Sequence, residues 1–510
     1  MSEYPNRVLY TPYTDKIISA EEAALYIKDK MIVGSSGFTK AGDSKAVLPA
    51  FAKRAEYEKV AITLLTGASL GHTTDSDLAN NDALYKRIPF QVDNSLRKKI
   101  NDGAILYMDQ HLSETAEMLE NKHFPALDIA IIEACYIDPA GNIIPTTSIG
   151  NSATFAHLAK NIIIEINTAI PFDFQGIHDV YLPTTYPRRE VFNITSTSDR
   201  IGEDYIKIDP EKVIGIVFTE MTDSPAQTSE PDDKTDQIAN HLIQFFEKEV
   251  AEGRLTDSLM PLQAGIGKIA NAVLGGLGKG HFNNLTMYSE VLQDSAFELF
   301  DKGKLLCASA SSITVTEACY NKLLTNFGDY KEKIILRPQN ISNSPEIIRR
   351  LGVIAINTAI EFDIYGNVNS THLSGTNMMN GIGGSGDFAR NSYLSVFVCP
   401  SVSKEANIIS NVVPMVSHVD HTEHDVDILV TEQGLADLRG LAPRERAKAV
   451  IENCVHPEYR EQLQDYFKRA CERGGHTPHL LEEAYSWHIN LRKNGSMMLK
   501  EKQLAKTASI

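Results

Sequence analysis

The side chain with the clearest chemical use in this sequence is a glutamate that closes an apolar run. Asn284-Leu285-Thr286-Met287-Tyr288-Ser289 leads into Glu290, and a near copy, Ala61-Ile62-Thr63-Leu64-Leu65-Thr66, leads into Gly67. Aligning Thr63 with Thr286 sets Gly67 opposite Glu290. A carboxylate is already ionised at neutral pH, so it can act as a nucleophile without a partner base. The end of a strand in an open α/β sheet is also where such folds bind ligands. No Ser/His/Asp or Cys/His constellation competes with it. The copy that has glycine there lacks the reactive group, so the pattern predicts one active site built around Glu290.

Other groups invite chemical readings. Gly381-Ile382-Gly383-Gly384-Ser385-Gly386 has the G-x-G-x-x-G spacing of a dinucleotide loop, which requires a strand immediately before it. The preceding residues 370–380 are rich in Ser, Thr, Asn and Gly and read as a loop. A better use of the glycines is close approach of backbone N–H groups to an oxyanion or phosphate; a turn needed only for its shape is the bland alternative. His418, His421 and His424 recur every three residues among Asp420, Glu423 and Asp425. These are zinc-ligand types, but a spacing of three along an extended loop does not gather the rings on one face. A polar loop leading into the strand Ile428-Leu429-Val430 and lining a cleft is the expectation. Cys454, His456, Cys471, His476 and His479 lack paired ligand spacing altogether.

The elements that must hold these groups alternate. Strand-like runs at 61–65, 104–108, 128–134, 161–166 and 213–218 are interleaved with helical patterns such as 21–30 and 45–54; a further helical pattern, 291–300, follows Glu290 directly. This predicts α/β architecture with largely buried strands. The echo between halves continues in order. Lys45-Ala46-Val47-Leu48 matches Asn271-Ala272-Val273-Leu274, following Gly37-Phe38 and Gly265-Ile266-Gly267 respectively. Strands at 128–132 and 352–356 each lead to a Gly-Asn turn, Asp138-Pro139-Ala140-Gly141-Asn142 and Asp363-Ile364-Tyr365-Gly366-Asn367, which predicts β-hairpins. Ile149-Gly150-Asn151-Ser152 then matches Ile382-Gly383-Gly384-Ser385. Four matches in order predict a tandem duplication, with an N-terminal α/β domain over 1–220 and a C-terminal α/β domain over 237–510. The polar, acidic stretch 221–236, with two prolines, reads as the linker. Residues beyond about 440 have no counterpart and read as helices packed on the second half.

The 510 residues exceed what one core normally holds. Hydrophobic and charged fractions of 43% and 23% suit a soluble globular protein. A net charge of −17 argues against general nucleic-acid or anionic-membrane binding but not against one anionic ligand held by local donors. Six scattered cysteines predict a reduced, cytoplasmic protein, and the polar start predicts no secretory signal. No apolar run approaches the ~20 residues of a membrane span.

Several motifs together resemble one family. Gly265-Ile266-Gly267-Lys268-Ile269-Ala270-Asn271-Ala272-Val273, Tyr288-Ser289-Glu290, the stretch from Gly366-Asn367 to His372, Met379-Asn380 through Asp387-Phe388, and Val430-Thr431-Glu432-Gln433-Gly434 are similar to the acetyl-CoA hydrolase/transferase family of class I CoA-transferases. The resemblance implies two similar open α/β domains from the duplication, with the active site in the cleft between them. It implies movement of CoA between an acyl-CoA, such as succinyl-CoA or acetyl-CoA, and a small carboxylate, acetate or succinate. Glu290 would carry an acyl-glutamyl anhydride and then a glutamyl-CoA thioester. The backbone N–H groups of Ile266 and Gly384 would serve the oxyanion on the acyl side, and the Asn343 amide the one on the glutamyl side. CoA contacts would come from Gly265, Ile266, Gly267, Lys268, Ile269, Ile360, Asn380, Gly384 and Lys404. Coenzyme A would be substrate and product, with no tightly bound cofactor or metal, and the protein a homodimer. An acetyl-CoA hydrolase using the same glutamate is the close rival. A dinucleotide-dependent oxidoreductase built on 381–386 and a zinc hydrolase built on the three histidines are the distant ones.

Overall fold

The computed structural model describes residues 6–184, 186–187, 189–227, 232–403 and 408–498. Fifteen strands build two large sheets. In the first half these are β1 (Ile32–Ser35), β2 (Ile62–Leu65), β3 (Leu84–Ile88), β4 (Leu106–Tyr107), β5 (Ile129–Ala134), β6 (Asn161–Asn167) and β7 (Val213–Thr219). In the second they are β8 (Leu262–Ala264), β9 (Leu285–Tyr288), β10 (Leu305–Ala310), β11 (Ile334–Leu336), β12 (Ile354–Thr358), β13 (Leu394–Val398), β14 (Ile428–Thr431) and β15 (Gly434–Asp437).

The two sheets have one design. The first is ordered β4-β3-β2-β1-β5-β6-β7 and the second β11-β10-β9-β8-β12-β13-β14-β15. Position for position, β8 to β14 repeat β1 to β7, and β15 adds an antiparallel edge beside β14. All other neighbours pair in parallel, so helices cover the faces and the central strands are buried along most of their length, as at β5 and β13. The Gly-Asn hairpins form in both halves, Tyr136–Ile137 with Ile143–Ile144 and Glu361–Asp363 with Val368–Asn369. Each turn is held the same way. The Asp138 carboxylate accepts from the N–H groups of Ala140 and Asn142, and that of Asp363 from Tyr365, Gly366 and Asn367.

Some local expectations shift. The pattern over 21–30 yields only the helix Ala20–Leu25, after which the chain turns and Lys30 takes a φ of 64°. Glu290 does not open a helix. Val291–Leu292 first pairs with Ser312–Ile313, and the helix begins at Asp294. In the stretch read as a linker, Asp223 is buried, accepts from the Gly42 N–H at 3.0 Å, and pairs with the buried Lys45 at 2.9 Å. Lys45 also pairs with Glu133 at 2.7 Å. The helix Asp233–Ala251 starts inside the same stretch, capped by Asp232.

The halves meet at the carboxyl ends of their strands. Ser148 bridges Ser312, Gly150 bridges Pro338 and His178 bridges Leu336. The fully buried Arg337 guanidinium pairs with Asp179 of the first half and donates to Ser309 Oγ of the second. One apolar core runs through both halves, while Pro443–Asn453, Pro457–Arg473 and Ser486–Asn494 pack on the second half around a separate cluster containing Tyr459 and Trp487.

Candidate active site

In the second sheet the chain runs outward from β8 through β11, then crosses back to lay β12 on the other side of β8. That reversal opens a crevice at the carboxyl ends, the usual ligand position in open α/β sheets. A cavity of about 180 Å³ lies there. Gly265 and Ile266 follow β8, Glu290 follows β9, Asn357 and Thr358 end β12, and residues 380–385 precede β13; all border it. The first half supplies the opposite wall with Phe38, Thr39, Ala68, Phe90 and Leu112. Phe38, Ala68, Leu112 and Val291 form a small apolar cluster of their own, with Phe90 packed against it.

The backbone fixes Glu290 before its side chain is considered. Its carbonyl accepts from the N–H groups of Ser311 and Ser312 at 2.8 and 3.2 Å, and Ser289 N–H donates to Ser309 O at 2.9 Å. The carboxylate rests on Gly384: a methyl group added there would collide with Glu290 Oε1 and the Asn343 amide. Asn343 Nδ2 donates to Oε1 at 3.1 Å. Burial pushes the Glu290 carboxyl up to about 7, against the pull of hydrogen bonds from Asn343, Gln263 and the Gly384 backbone. Gln263 is itself held, donating to Asn357 Oδ1 at 3.2 Å and accepting from the Ile356 N–H at 3.1 Å. In the first half a side chain at Gly67 would meet Gly37 O at 2.6 Å and Gln339 Oε1 at 2.9 Å. That copy of the site is filled with protein.

The loop 381–386 does not follow a strand of the sheet; it follows the short hairpin His372–Leu373 with Asn377–Met378. Its glycines answer to contacts. Gly381 lies against Asp109 Oδ1, Tyr107 Oη and the Pro89 carbonyl, Gly384 against Glu290, and Gly386 against the His111 ring. Gly383 turns the chain with a φ of 60°.

The expected CoA residues divide between two places. Gly265, Ile266, Asn380 and Gly384 border the cavity, and Asn380 Nδ2 donates to Gly381 O at 2.9 Å. A neighbouring groove of about 640 Å³ is lined by Lys268, Ala359, Ile360, Pro400, Val402 and Ser403, among others. Thr358 and Ala359 are consecutive, so the end of β12 joins groove to cavity. Lys268 pairs with Asp232 at the start of the helix Lys268–Leu277, and Gly267 precedes that helix with a φ of 125°. Ile269 turns into the core, 6% exposed, and its side chain reaches neither space; the open loop ends at Gly267. Lys404 lies outside the described residues.

The three histidines do not converge. His418 packs against His372 with centroids 3.8 Å apart and the rings tilted by 33°, and approaches Asp420 at 3.3 Å, whereas His421 is buried and bonds Ser370 Oγ and Ser385 Oγ at 3.3 and 3.0 Å. Burial lowers the His421 pKa. Among the described residues no group of three or more His, Cys, Asp or Glu is placed to hold a metal ion, and no helix is long and apolar enough to cross a membrane. His421 lies behind the cavity, bonded to Ser370 and Ser385, which line it.

Sequence comparison bears directly on this geometry. Residues 1–218 match the acetyl-CoA hydrolase/transferase N-terminal domain and residues 320–467 the acetyl-CoA hydrolase/transferase C-terminal domain. The chain belongs to the acetyl-CoA hydrolase/transferase family. Within it, a succinyl-CoA:acetate CoA-transferase of Clostridium kluyveri is 50% identical over 95% of this chain and 90% of its own. An acetyl-CoA hydrolase of Saccharomyces cerevisiae is 44% identical over 96% and 97%. The crystal structure of RipA from Yersinia pestis superimposes with a TM-score of 0.71 at 21% identity, over 90% of this chain and 98% of that one. This last likeness concerns the fold, and the doubled α/β architecture expected from the repeat is the one found.

What the sequence left unassigned is which first-half side chains beyond Phe38 line the opposite wall, together with the parts played by Gln263, Asp109 and Asp387. A Gly-Phe pair at 37–38 and an aspartate three residues beyond Gly384 were visible signals. Neither says what it faces until the two sheets meet at the carboxyl ends of their strands.

Proposed function

We propose that the protein is a CoA-transferase that passes CoA between succinyl-CoA or acetyl-CoA and acetate or succinate, with Glu290 as the covalent carrier. The observation that supports it is the seat of the Glu290 carboxylate, touching the Gly384 backbone and the Asn343 amide where a cavity meets a groove. Glu290 attacks the thioester carbonyl, the C–S bond breaks, and CoA leaves as thiolate from an acyl-glutamyl anhydride. The thiolate then attacks the glutamyl carbon, a C–O bond breaks, and the first carboxylate departs from a glutamyl-CoA thioester. A second carboxylate runs the sequence backwards. Each step develops an oxyanion, for which fixed donors supply much of the acceleration. The Gly384 and Ile266 N–H groups serve the acyl side and the Asn343 amide the glutamyl side. The groove past Lys268 and Ile360 holds the body of CoA, whose binding helps exclude water from two hydrolysable intermediates. Coenzyme A needs no resident cofactor as helper here, and we assign the protein to the cytoplasm as a homodimer.

Incubation with acyl-CoA and sodium borohydride should reduce the thioester to an alcohol at Glu290, read by peptide mass spectrometry. Modification elsewhere, or none, would sink the nucleophile assignment. The 44% identity to a yeast acetyl-CoA hydrolase keeps one second reading in play, the same glutamyl chemistry ending in water. Acetyl-CoA consumption measured with and without succinate separates the two: equal rates would favour hydrolysis.

A further inference from the structure

The loop that carries Gly384 belongs to the second half but is held in place by the first. Asn101 exchanges two hydrogen bonds with the Met378 backbone, at 2.8 and 2.9 Å. Arg97 Nε donates to the Met379 carbonyl at 2.6 Å. Both oxygens of Asp109 accept from the Ile382 N–H, at 3.0 and 2.9 Å. The His111 ring fills the space left by the missing side chain of Gly386. The last contact in this series is the most enclosed. Ser113 donates twice to the Asp387 carboxylate, from its N–H to Oδ2 at 3.1 Å and from its hydroxyl to Oδ1 at 2.6 Å. Asp387 is 4% exposed and sits in the first turn of the helix Ser385–Asn391, for which Gly384 is the N-cap.

The hydroxyl of Ser113 has an ordinary alternative use that it forgoes. Ser113 is the N-cap of the helix Glu114–Glu120, where a serine normally accepts from a backbone N–H two or three residues on. Here it makes no cap bond and turns to Asp387 across the cleft. Hydrogen bonds to a buried charged group are stronger than those at an exposed helix end. The two donors also keep Asp387 from being a buried carboxylate without partners, a burden that burial and the nearby Glu290 charge impose on it.

We propose that Ser113 is a positioning residue for the reaction: by gripping Asp387 it anchors the first turn of Ser385–Asn391 and so holds the Gly384 N–H on Glu290. This rests on the reading of Gly384 as an oxyanion donor. An N–H that drifts by a fraction of an ångström from the oxyanion loses most of its value, because the donor must be in place before charge develops. The latch therefore ties the donor loop of one half to the body of the other.

The test compares full-length wild type with Ser113→Ala and Ser113→Thr. Ser113→Ala removes the hydroxyl bond but no helix cap, so the fold should hold, with Tm within about 3 °C of wild type. Its kcat should fall about tenfold or more, the order expected when an oxyanion donor is moved off its position, while KM for acyl-CoA stays within about twofold. Borohydride labelling of Glu290 should slow in parallel, and Ser113→Thr, which keeps a hydroxyl, should recover most of the rate. Wild-type kcat in folded Ser113→Ala would overturn the latch, as would a loss of rate that merely tracks a lowered Tm and is not repaired by threonine. Wild-type protein that consumes acyl-CoA without labelling at Glu290 would instead overturn the functional reading beneath it.

Discussion

Glu290 Oε1 occupies the space that any side chain at Gly384 would need. The glycine is thus required by contact with the carboxylate, since its own φ of −91° is open to every residue. The Glu290 carboxylate and the Gly384 backbone touch without any ligand between them, held there by packing.

From that contact, Gly384→Ala is expected to push the Glu290 carboxylate off its seat. Turnover should fall about 100-fold or more, the range for losing an oxyanion donor, with Tm changed by only a few degrees. Steady-state kinetics beside a thermal melt checks this. A variant with wild-type turnover would remove the packing argument.

Asn343 offers the second donor through its amide, 3.1 Å from Glu290 Oε1. Asn343→Ala should lower kcat about 10²- to 10³-fold while leaving acyl-CoA binding, measured by titration calorimetry on a Glu290→Gln background, within about threefold. Loss of binding with unchanged kcat would reassign the residue to ground-state contacts.

The pH profile follows from burial. Glu290 is held up at about 7 against an ordinary value of 4.5, so the carboxylate proposed as nucleophile gains its charge only as pH rises through about 7. kcat/KM should therefore climb about tenfold per pH unit on the acid side and level off above. A profile flat from pH 5 to 8 would contradict it.

The same shift has a cost in stability. Because the folded protein binds this proton more tightly than the unfolded chain, the contribution is whole below about pH 4.5 and is lost as pH rises through 7. Glu290→Gln, which cannot ionise, should raise Tm at pH 8 by about 2–4 °C, with the gain shrinking toward pH 5. An inactive variant that is also less stable at pH 8 would mean the carboxylate is not strained by burial.

Chelation gives the simplest check on the histidine loop. His418 and His421 turn to different partners, so dialysis against EDTA should leave kcat within error of the untreated protein. A loss restored by zinc would revive metal chemistry there.

How much of this was legible beforehand can be argued from particular residues. The Glu290-for-Gly67 difference could be found in the sequence because duplication supplies its own alignment, and strand ends are fixed by local apolar pattern. The Gly-Asn hairpins were visible for the same reason: Asp138 and Asp363 bond backbone within four residues of themselves. Ile269 shows the limit of a motif. It belongs to the glycine-rich segment by sequence, yet the helix that starts at Lys268 rotates it into the core.

The sequence by itself determined the doubled α/β scaffold and the family, and it singled out Glu290 as the candidate carboxylate, since each rests on local pattern within a strand, a turn or a repeat. Only the tertiary structure decided why Gly381, Gly384 and Gly386 are glycines, which first-half residues close the cavity, and that Ser113 reaches Asp387. The Ser113–Asp387 contact alone spans 274 residues of chain, and contacts of this kind come into being only when the two sheets dock at the carboxyl ends of their strands.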